Sequence, residues 1–365
     1  MKRYQSLFIL LCCLYNTNTV HSQQLIRKEI HFPDIMGYQT LKCDFHIHTV
    51  FSDGQVWPEV RIWEAFREGL DAIAITDHLE YQPHKKYVDT STNNAYELMK
   101  PMADQLGILL IRGTEVTRKM PPGHLNALFI EDADTADGPD YEKTLQSLAD
   151  QGAFIFWNHP GWVAQAKEGI RWYDIHTELV EKNLIHGIEV GNYGEWYPEA
   201  LQWCIDKDLT VFCNSDIHEP SEIYREYAGV KHRLVTLVFA KERTAESIRE
   251  ALLDHRTAGW FEDTLVGQEN WLRELFQQSV TLSDPYHQTG KERFYHLSNS
   301  SDVNYSLRLE NEADKSFAPE KIVIPSGSTV LISVKGQRDE SFSVSYVVQN
   351  CFIHGRENLT ISWTL

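Results

Sequence analysis

Asp44-Phe45-His46-Ile47-His48-Thr49 closes an apolar run that begins at Leu41, and Ser52-Asp53-Gly54 follows it. On a strand, successive side chains alternate faces, so His46 and His48 point the same way and can hold one ion, with Asp53 arriving on the loop behind them. The same signature recurs at Thr76-Asp77-His78, Gly113-Thr114-Glu115, Gly123-His124, Trp157-Asn158-His159-Pro160 and Ser215-Asp216-Ile217-His218. Any one of these, taken alone, reads sooner as a polar loop residue or a buried, hydrogen-bonded histidine. As a set they describe a metal site. Neutral imidazoles and carboxylates suit divalent zinc, manganese or iron. Two such ions, roughly 3.5–4 Å apart, can share an acidified water that attacks phosphorus while the metals neutralise the charge on the phosphoryl oxygens. Such a reaction needs no side-chain nucleophile.

These residues need strands that deliver them to one place. From Leu41 to about Leu253, extended and helical runs alternate. Strands are expected at Leu41–His48, Asp71–Thr76, Ile108–Arg112, Gly123–Ile130, Ala153–Trp157, Ile185–Val190, Leu209–Asn214 and Leu234–Ala240. Helices are expected at Pro58–Gly69, Asn94–Leu106, Tyr141–Gln151, Tyr173–Asn183, Glu199–Asp208 and Ala245–His255. In the first helix Val60, Trp63, Ala65, Phe66 and Leu70 recur at helical spacing. Uninterrupted runs such as Ala72-Ile73-Ala74-Ile75 suit strands buried on both faces. The order predicts a parallel α/β barrel or a doubly wound sheet, with the barrel favoured because site residues leave so many strand ends. Gln268–Ser279 reads as one more helix. From about Gly290 the pattern turns to alternation (Tyr305/Leu307/Leu309, Val330/Ile332/Val334, Phe342/Val344/Tyr346, Leu359/Ile361/Trp363), which predicts a small antiparallel β-sandwich. The domains expected are therefore a leader at 1–22, a barrel at 23–265, a connecting helix at 266–289 and a sandwich at 290–365.

The leader is read from Met1-Lys2-Arg3, the apolar run Leu7 to Leu14 and Val20-His21-Ser22, which together predict a signal peptide and a periplasmic or secreted chain. The apolar run is too short to span a bilayer, so no stable membrane insertion is expected. Of 365 residues, 42% are hydrophobic, enough for real cores, and the net charge is −18. Loss of the leader's two basic residues makes it −20. A surface this acidic argues against nucleic acid as a partner. It also requires that an anionic substrate be met by local positive charge, which bound ions supply. Cys43 and Cys213 fall in apolar strands and are expected as buried free thiols.

The ordered motifs His46-x-His48, Ser52-Asp53-Gly54, Thr76-Asp77-His78, Gly113-Thr114-Glu115 with His124, Asn158-His159-Pro160 and Asp216-x-His218 resemble the PHP (polymerase and histidinol phosphatase) superfamily over residues 40–255. The resemblance implies a distorted (β/α)7 barrel with a trinuclear centre at the strands' carboxyl ends and a metal-dependent phosphoesterase activity. By position, it implies that His46, His48, Glu115 and Asp216 hold one ion, and that Glu115 bridges to a second ion held with His124 and His159. Asp53, His78 and His218 would hold the third. Up to three divalent ions (Zn, Mn or Fe) are thus expected, with Glu115, Asp216 and His218 as catalytic residues.

Asp44 and Asp77, each beside a ligand, are read as fixing ring tautomers or as caps. Arg118 and Arg171 are weaker candidates for a phosphate clamp or are solvated, and Asn192 and Tyr193 for pocket lining. His84, His176, His186, His232 and His255 lack strand-end placement and read as structural. The substrate expected is a small phosphoester, with diesters ahead of monoesters. An amidohydrolase-like hydrolase is the alternative among enzymes, discriminated by the bridging lysine such sites use. A binding protein whose barrel is a relic is the other alternative, and the retention of all nine ligand-type positions weighs against it.

Overall fold

The computed structural model describes residues 25–89, 91–136, 138–335 and 343–365, so the expected leader and Phe342 lie outside the described residues. The first part of the chain runs β1 (Gln39–Asp44), α1 (Pro58–Glu68), β2 (Ala72–Ile75), α2 (Asn93–Leu106), β3 (Leu109–Val116), β4 (Leu125–Leu128), α3 (Tyr141–Asp150), β5 (Phe154–Trp157) and α4 (Asp174–Glu181). It continues with β6 (Gly187–Asn192), β7 (Glu195–Trp196), α5 (Pro198–Asp206), β8 (Thr210–Asn214), α6 (Ser221–Ala228), β9 (Val235–Ala240), α7 (Ala245–Leu253), β10 (Thr257–Phe261), β11 (Thr264–Gly267) and α8 (Glu269–Ser279). Local chemistry sets several ends. Pro58 opens α1, and Gly69 at φ +90° stops it in the left-handed conformation that glycine takes without strain. Asp140 caps α3 by accepting from the Glu142 and Lys143 amides.

β1, β2 and β3 are parallel, as are β5, β6 and β8. Between the two sets lies β4, antiparallel to β3 and β5. The sheet is therefore mixed and parallel-rich rather than wholly parallel. The 117–124 connection holds no crossover helix, so only an antiparallel return is open to β4. β9 pairs antiparallel with β1 and β10. Beyond the end of β1, Ile47 bridges Ile217 just past β8, so the two flanks of the sheet meet where the ligand motifs sit. Beneath that junction, one core cluster gathers Cys43, Phe45, Ala74, Phe156, Phe212 and Val238 with the inner face of α7. Phe156 stacks on Phe212 at 4.3 Å. Truncating either ring to alanine is expected to cost roughly 3–5 kcal/mol.

Further features depart from the sequence reading. α1 turns Arg61, Ile62 and Ala65 inward and leaves Val60 exposed. α6 is too short and polar to show a helical stripe, burying only Ser221 and Tyr224. The β10–β11 hairpin turns through Glu262-Asp263 with Glu262 at φ +52°, a conformation usually marked by Gly or Asn.

The C-terminal part adds β12 (Val280–Leu282), β13 (His287–Gln288), β14 (Glu292–Asn299), β15 (Tyr305–Leu309), β16 (Lys321–Ile324), β17 (Thr329–Lys335), β18 (Ser343–His354) and β19 (Glu357–Thr364). β12, β13 and β17 all pair with β14 in one sheet, which thus begins inside the stretch read as a linker. β16, β15, β18 and β19 form the other. Alternate residues, among them Leu297, Leu307, Val334, Tyr346 and Ile361, are buried in the core they share. That core continues into the first part of the chain through Leu265, Leu272 and Phe276, and β18 pairs parallel with β11. Among the described residues, no helix is long and apolar enough to cross a membrane, and Cys43, Cys204, Cys213 and Cys351 are buried free thiols.

Candidate metal centre

The residues after β1 and β8, the end of β3 and the loops after β2, before β4 and after β5 bring nine side chains to one point. Asp216 Oδ1 lies 3.1 Å from His46 Nε2 and 3.0 Å from His48 Nε2. Glu115 stands at the centre. Its Oε1 is 3.0 Å from His124 Nδ1, 3.5 Å from His159 Nε2 and 3.6 Å from His46 Nε2. Its Oε2 is 2.6 Å from His78 Nδ1 and 3.6 Å from His48 Nε2. Asp53 Oδ1 faces His218 Nε2 at 3.1 Å and His78 Nε2 at 3.4 Å. Gly54 makes that loop feasible, since a Cβ there would lie 2.6 Å from the Thr49 amide nitrogen.

The donor atoms form overlapping groups of His48/Asp53/His78/His218, His46/His159/Asp216, His46/His48/Glu115 and His78/Glu115/His124, each within 4.8 Å. Relative to the sets implied by the PHP resemblance, His48 also joins the Asp53 corner, and His78 joins Glu115 and His124, while His159 faces the Glu115 oxygen that His124 faces. His46 Nε2, His48 Nε2, Asp53 Oδ1, Glu115 Oε2 and Asp216 Oδ1 are buried without a hydrogen-bond partner, although they converge on one another. Buried polar atoms are normally satisfied, so this concentration marks a place built for cations, and the N/O donor set fits divalent ions.

The electrostatics agree. Burial works to raise Glu115, but the His78, His124 and His46 rings hold it well below the usual carboxylate range. Asp216 and Asp53 are likewise held low against burial by the imidazoles around them. Burial alone would lower His46, yet Asp216, Glu189 and Glu115 raise it well above its ordinary value; carboxylates raise His78 well above its own likewise, and raise His218. Without ions, protons on imidazole thus balance the carboxylates. His48, buried and hemmed in by the His218 and His78 rings, is lowered to about 3 and stays neutral.

Further residues fix these side chains. Glu189, fully buried on β6, accepts from His46 Nδ1 (2.8 Å), Asn214 Nδ2 (3.0 Å), the His159 amide (2.9 Å) and Asn192 Nδ2 (2.8 Å). It thereby puts the His46 proton on Nδ1 and leaves Nε2 free to ligate. Asn158 Nδ2 donates to Glu115 Oε1 at 2.8 Å. His159 and Asp216 sit at φ +28° and +53°, strained for side-chain-bearing residues. Their amides are tied to Glu189 and to the His46 carbonyl (2.9 Å).

A profile of the PHP domain matches residues 44–152, and one of an Ig-like domain matches residues 280–364. The crystal structure of a two-domain protein from Bacteroides vulgatus, described as containing a predicted PHP-like metal-dependent phosphoesterase, is 39% identical. It covers 94% of this chain and 100% of its own, at a TM-score of 0.90. This chain belongs to the PHP family. An uncharacterised protein of Methanocaldococcus jannaschii is 27% identical over 198 residues, 50% of this chain and 84% of that one. PHP membership and the buried His/Asp/Glu cluster suit metal-dependent hydrolysis and support a hydrolase.

Within this PHP domain the expected supporting roles shift. Asp44 bonds no imidazole ring. It accepts from Ser215 N (3.1 Å) and Oγ (2.5 Å), pairs with Arg233 at 3.1 Å and so holds the backbone before Asp216. Asp77 accepts from Thr49 and from Ser52 Oγ (2.6 Å), and Ser52 in turn lies 3.3 Å from His48 Nδ1. Asn192 props Glu189 instead of lining a pocket, and the Tyr193 hydroxyl bonds Glu219 at 3.1 Å. Neither arginine clamps the centre: Arg118 pairs with Glu80, and Arg171 is exposed beside Glu168. His176 is buried, stacked on Trp157, and bonds the Pro122 carbonyl at 2.8 Å. Sequence reasoning missed Glu189, Arg61 and Asn214. Glu189 did carry a signal, as the one carboxylate within the apolar run Ile185–Val190.

Proposed function

We propose that this PHP protein hydrolyses phosphoesters of small organic molecules, diesters ahead of monoesters, with divalent ions held by His46, His48, Asp53, His78, Glu115, His124, His159, Asp216 and His218. The observation that carries the reading is the set of five buried, unpartnered donor atoms facing one another. Ions bound there would supply Lewis acidity, lowering the pKa of water and drawing charge from the phosphoryl oxygens. Glu115 is placed to serve two ions, with one oxygen toward His124 and His159 and the other toward His48 and His78. His218 is the most open ligand ring, 24% exposed against 10% or less for the other imidazoles, and stands to meet the leaving oxygen. Tyr81 and Trp162, both exposed, lie edge-on or tilted beside His78, His124 and His159 and offer apolar surface to the ester's organic group.

The engagement of Arg118 and Arg171 elsewhere supports the diester, since no arginine fork of these two waits for a dianionic terminal phosphate. The fold reading that accompanies this function is the distorted (β/α)7 barrel, with β1, β2, β3, β4, β5, β6 and β8 as its ring and the Ile47–Ile217 bridge as its closure. The leader reading places the reaction outside the cytoplasm, and N-terminal sequencing from the native host should then find a start near Gln23. Metal-analysed protein should be assayed on mono- and diesters of one leaving group. Faster hydrolysis of the diester is expected. Hydrolysis of neither by the ion-loaded chain, with turnover of an amide or lactone instead, would replace the reading with the amidohydrolase-like one.

A further inference from the structure

The centre's most heavily engaged neighbour is not a ligand. Arg61, on the inward face of α1, is fully buried. Its Nε donates to the His48 carbonyl (2.9 Å). Nη2 donates to the Ile217 (3.0 Å) and His218 (2.8 Å) carbonyls, and Nη1 to the Glu219 carbonyl (2.8 Å) and Glu64 Oε2 (2.8 Å). A guanidinium has five N–H donors, and all of them are used. Four of the acceptors are backbone oxygens on the two segments that carry His48, Asp216 and His218. The same oxygens already join these segments, with the His48 amide donating to the Ile217 carbonyl (3.1 Å) and the Gln55 amide, two residues from Asp53, to the His218 carbonyl (2.8 Å). Glu64 extends the clamp by accepting the Ser221 amide at the start of α6 (2.7 Å).

We infer that Arg61 is a positioning residue that sets the His48/Asp53/His78/His218 corner of the centre by pinning the chain after β1 to the chain after β8. The inference rests on the metal reading above. Arg61 touches no ligating atom, and none of its bonds reaches Glu115, His124 or His159, which come from β3, the loop before β4 and the chain after β5. Its loss should therefore act on one corner and not on the whole cluster. Lysine, with three donors on a single point, reproduces only part of the fork.

The test is the metal content and ion-by-ion affinity of wild type, Arg61→Lys and Arg61→Met, measured by elemental analysis after equilibration at graded free Mn2+ or Zn2+, together with Tm, kcat and KM. In Arg61→Lys, one ion should bind about 10–100-fold more weakly, the range for residues supporting ligands, with the remaining ions unchanged. Turnover should fall at unchanged KM. Arg61→Met should lose that ion at all but the highest concentrations, and if it fails to fold, Arg61→Lys decides. Loss of all ions in step, or of none, in Arg61→Lys would overturn the inference while leaving the metal reading intact. A wild-type chain that binds no ions would overturn both.

Discussion

Glu189→Gln isolates the role of a residue that neither binds an ion nor touches substrate in this account. Each carboxylate oxygen of Glu189 receives two donors, His46 Nδ1 and Asn214 Nδ2 on one, the His159 amide and Asn192 Nδ2 on the other. Glutamine keeps the shape, but in either orientation its NH2 group meets two donors where an acceptor stood. Losing two buried hydrogen bonds to a charged group costs about 3 kcal/mol, at the low end of roughly 1.5–3 kcal/mol each. At about 2 °C per kcal/mol for a chain of this size, Tm should fall by about 6 °C. If the NH2 group faces His46, the ring is driven to carry its proton on Nε2, the atom that faces Glu115 and Asp216, and ion affinity should fall about 10–100-fold. Calorimetry of the chelated protein and titration with Mn2+ followed by elemental analysis separate the two effects. Unchanged Tm and wild-type affinity would refute the claim that Glu189 sets the His46 tautomer.

Two further outcomes follow from the same geometry. Because carboxylates hold His46, His78 and His218 above their ordinary values in the ion-free centre, against the opposing effect of burial, ions must displace protons to bind, and affinity should rise with pH. The raised values stabilise the ion-free fold fully below about pH 6.5, and that stability is lost as pH rises through them. The Tm gap between loaded and chelated protein should therefore widen from pH 6 to pH 9, and a constant gap would contradict the assignment. Ending the chain at Gly267 strips α8 and the Ig-like domain from Leu237, Phe239 and Leu265. At roughly 1.5–3 kcal/mol per exposed side chain the cost is roughly 5–9 kcal/mol, comparable to the net stability of a domain. Such a chain should aggregate or melt far below the full-length protein, and an equal Tm would show the Ig-like domain to be an independent module.

The gathering of these nine side chains was legible in the sequence because strand parity and strand ends are local features. His46 and His48 alternate onto one face, and His78, Glu115, His159, Asp216 and His218 come at or just past the ends of apolar runs, with Asp53 on a loop and His124 just before a strand. The supports were not, because they are defined by what they reach across the fold. Arg61 lies on a helix whose apolar residues imply a different inward face, and only the junction of β1 with β8 explains why a guanidinium belongs there. Glu189 stands out as a carboxylate in the buried strand β6, but nothing local to it says that His46 stands opposite. Asp44 and Asp77 were correctly singled out by adjacency. Adjacency along the chain does not say which atoms they meet, and both turn to hydroxyls and backbone amides rather than to rings. The antiparallel β4 follows from a connection too short for a crossover, and β10–β11 from a turn without glycine.

The most direct test of the metal centre is Glu115→Gln, measured for metal content by elemental analysis beside turnover of an activated phosphodiester. Glutamine nearly preserves the shape of the one carboxylate that faces His46, His48, His78, His124 and His159, but it removes the charge by which one group would hold two cations. The expected outcome is a folded protein that has lost bound metal and at least ~10³-fold in turnover. Full metal content with wild-type turnover in Glu115→Gln would contradict it.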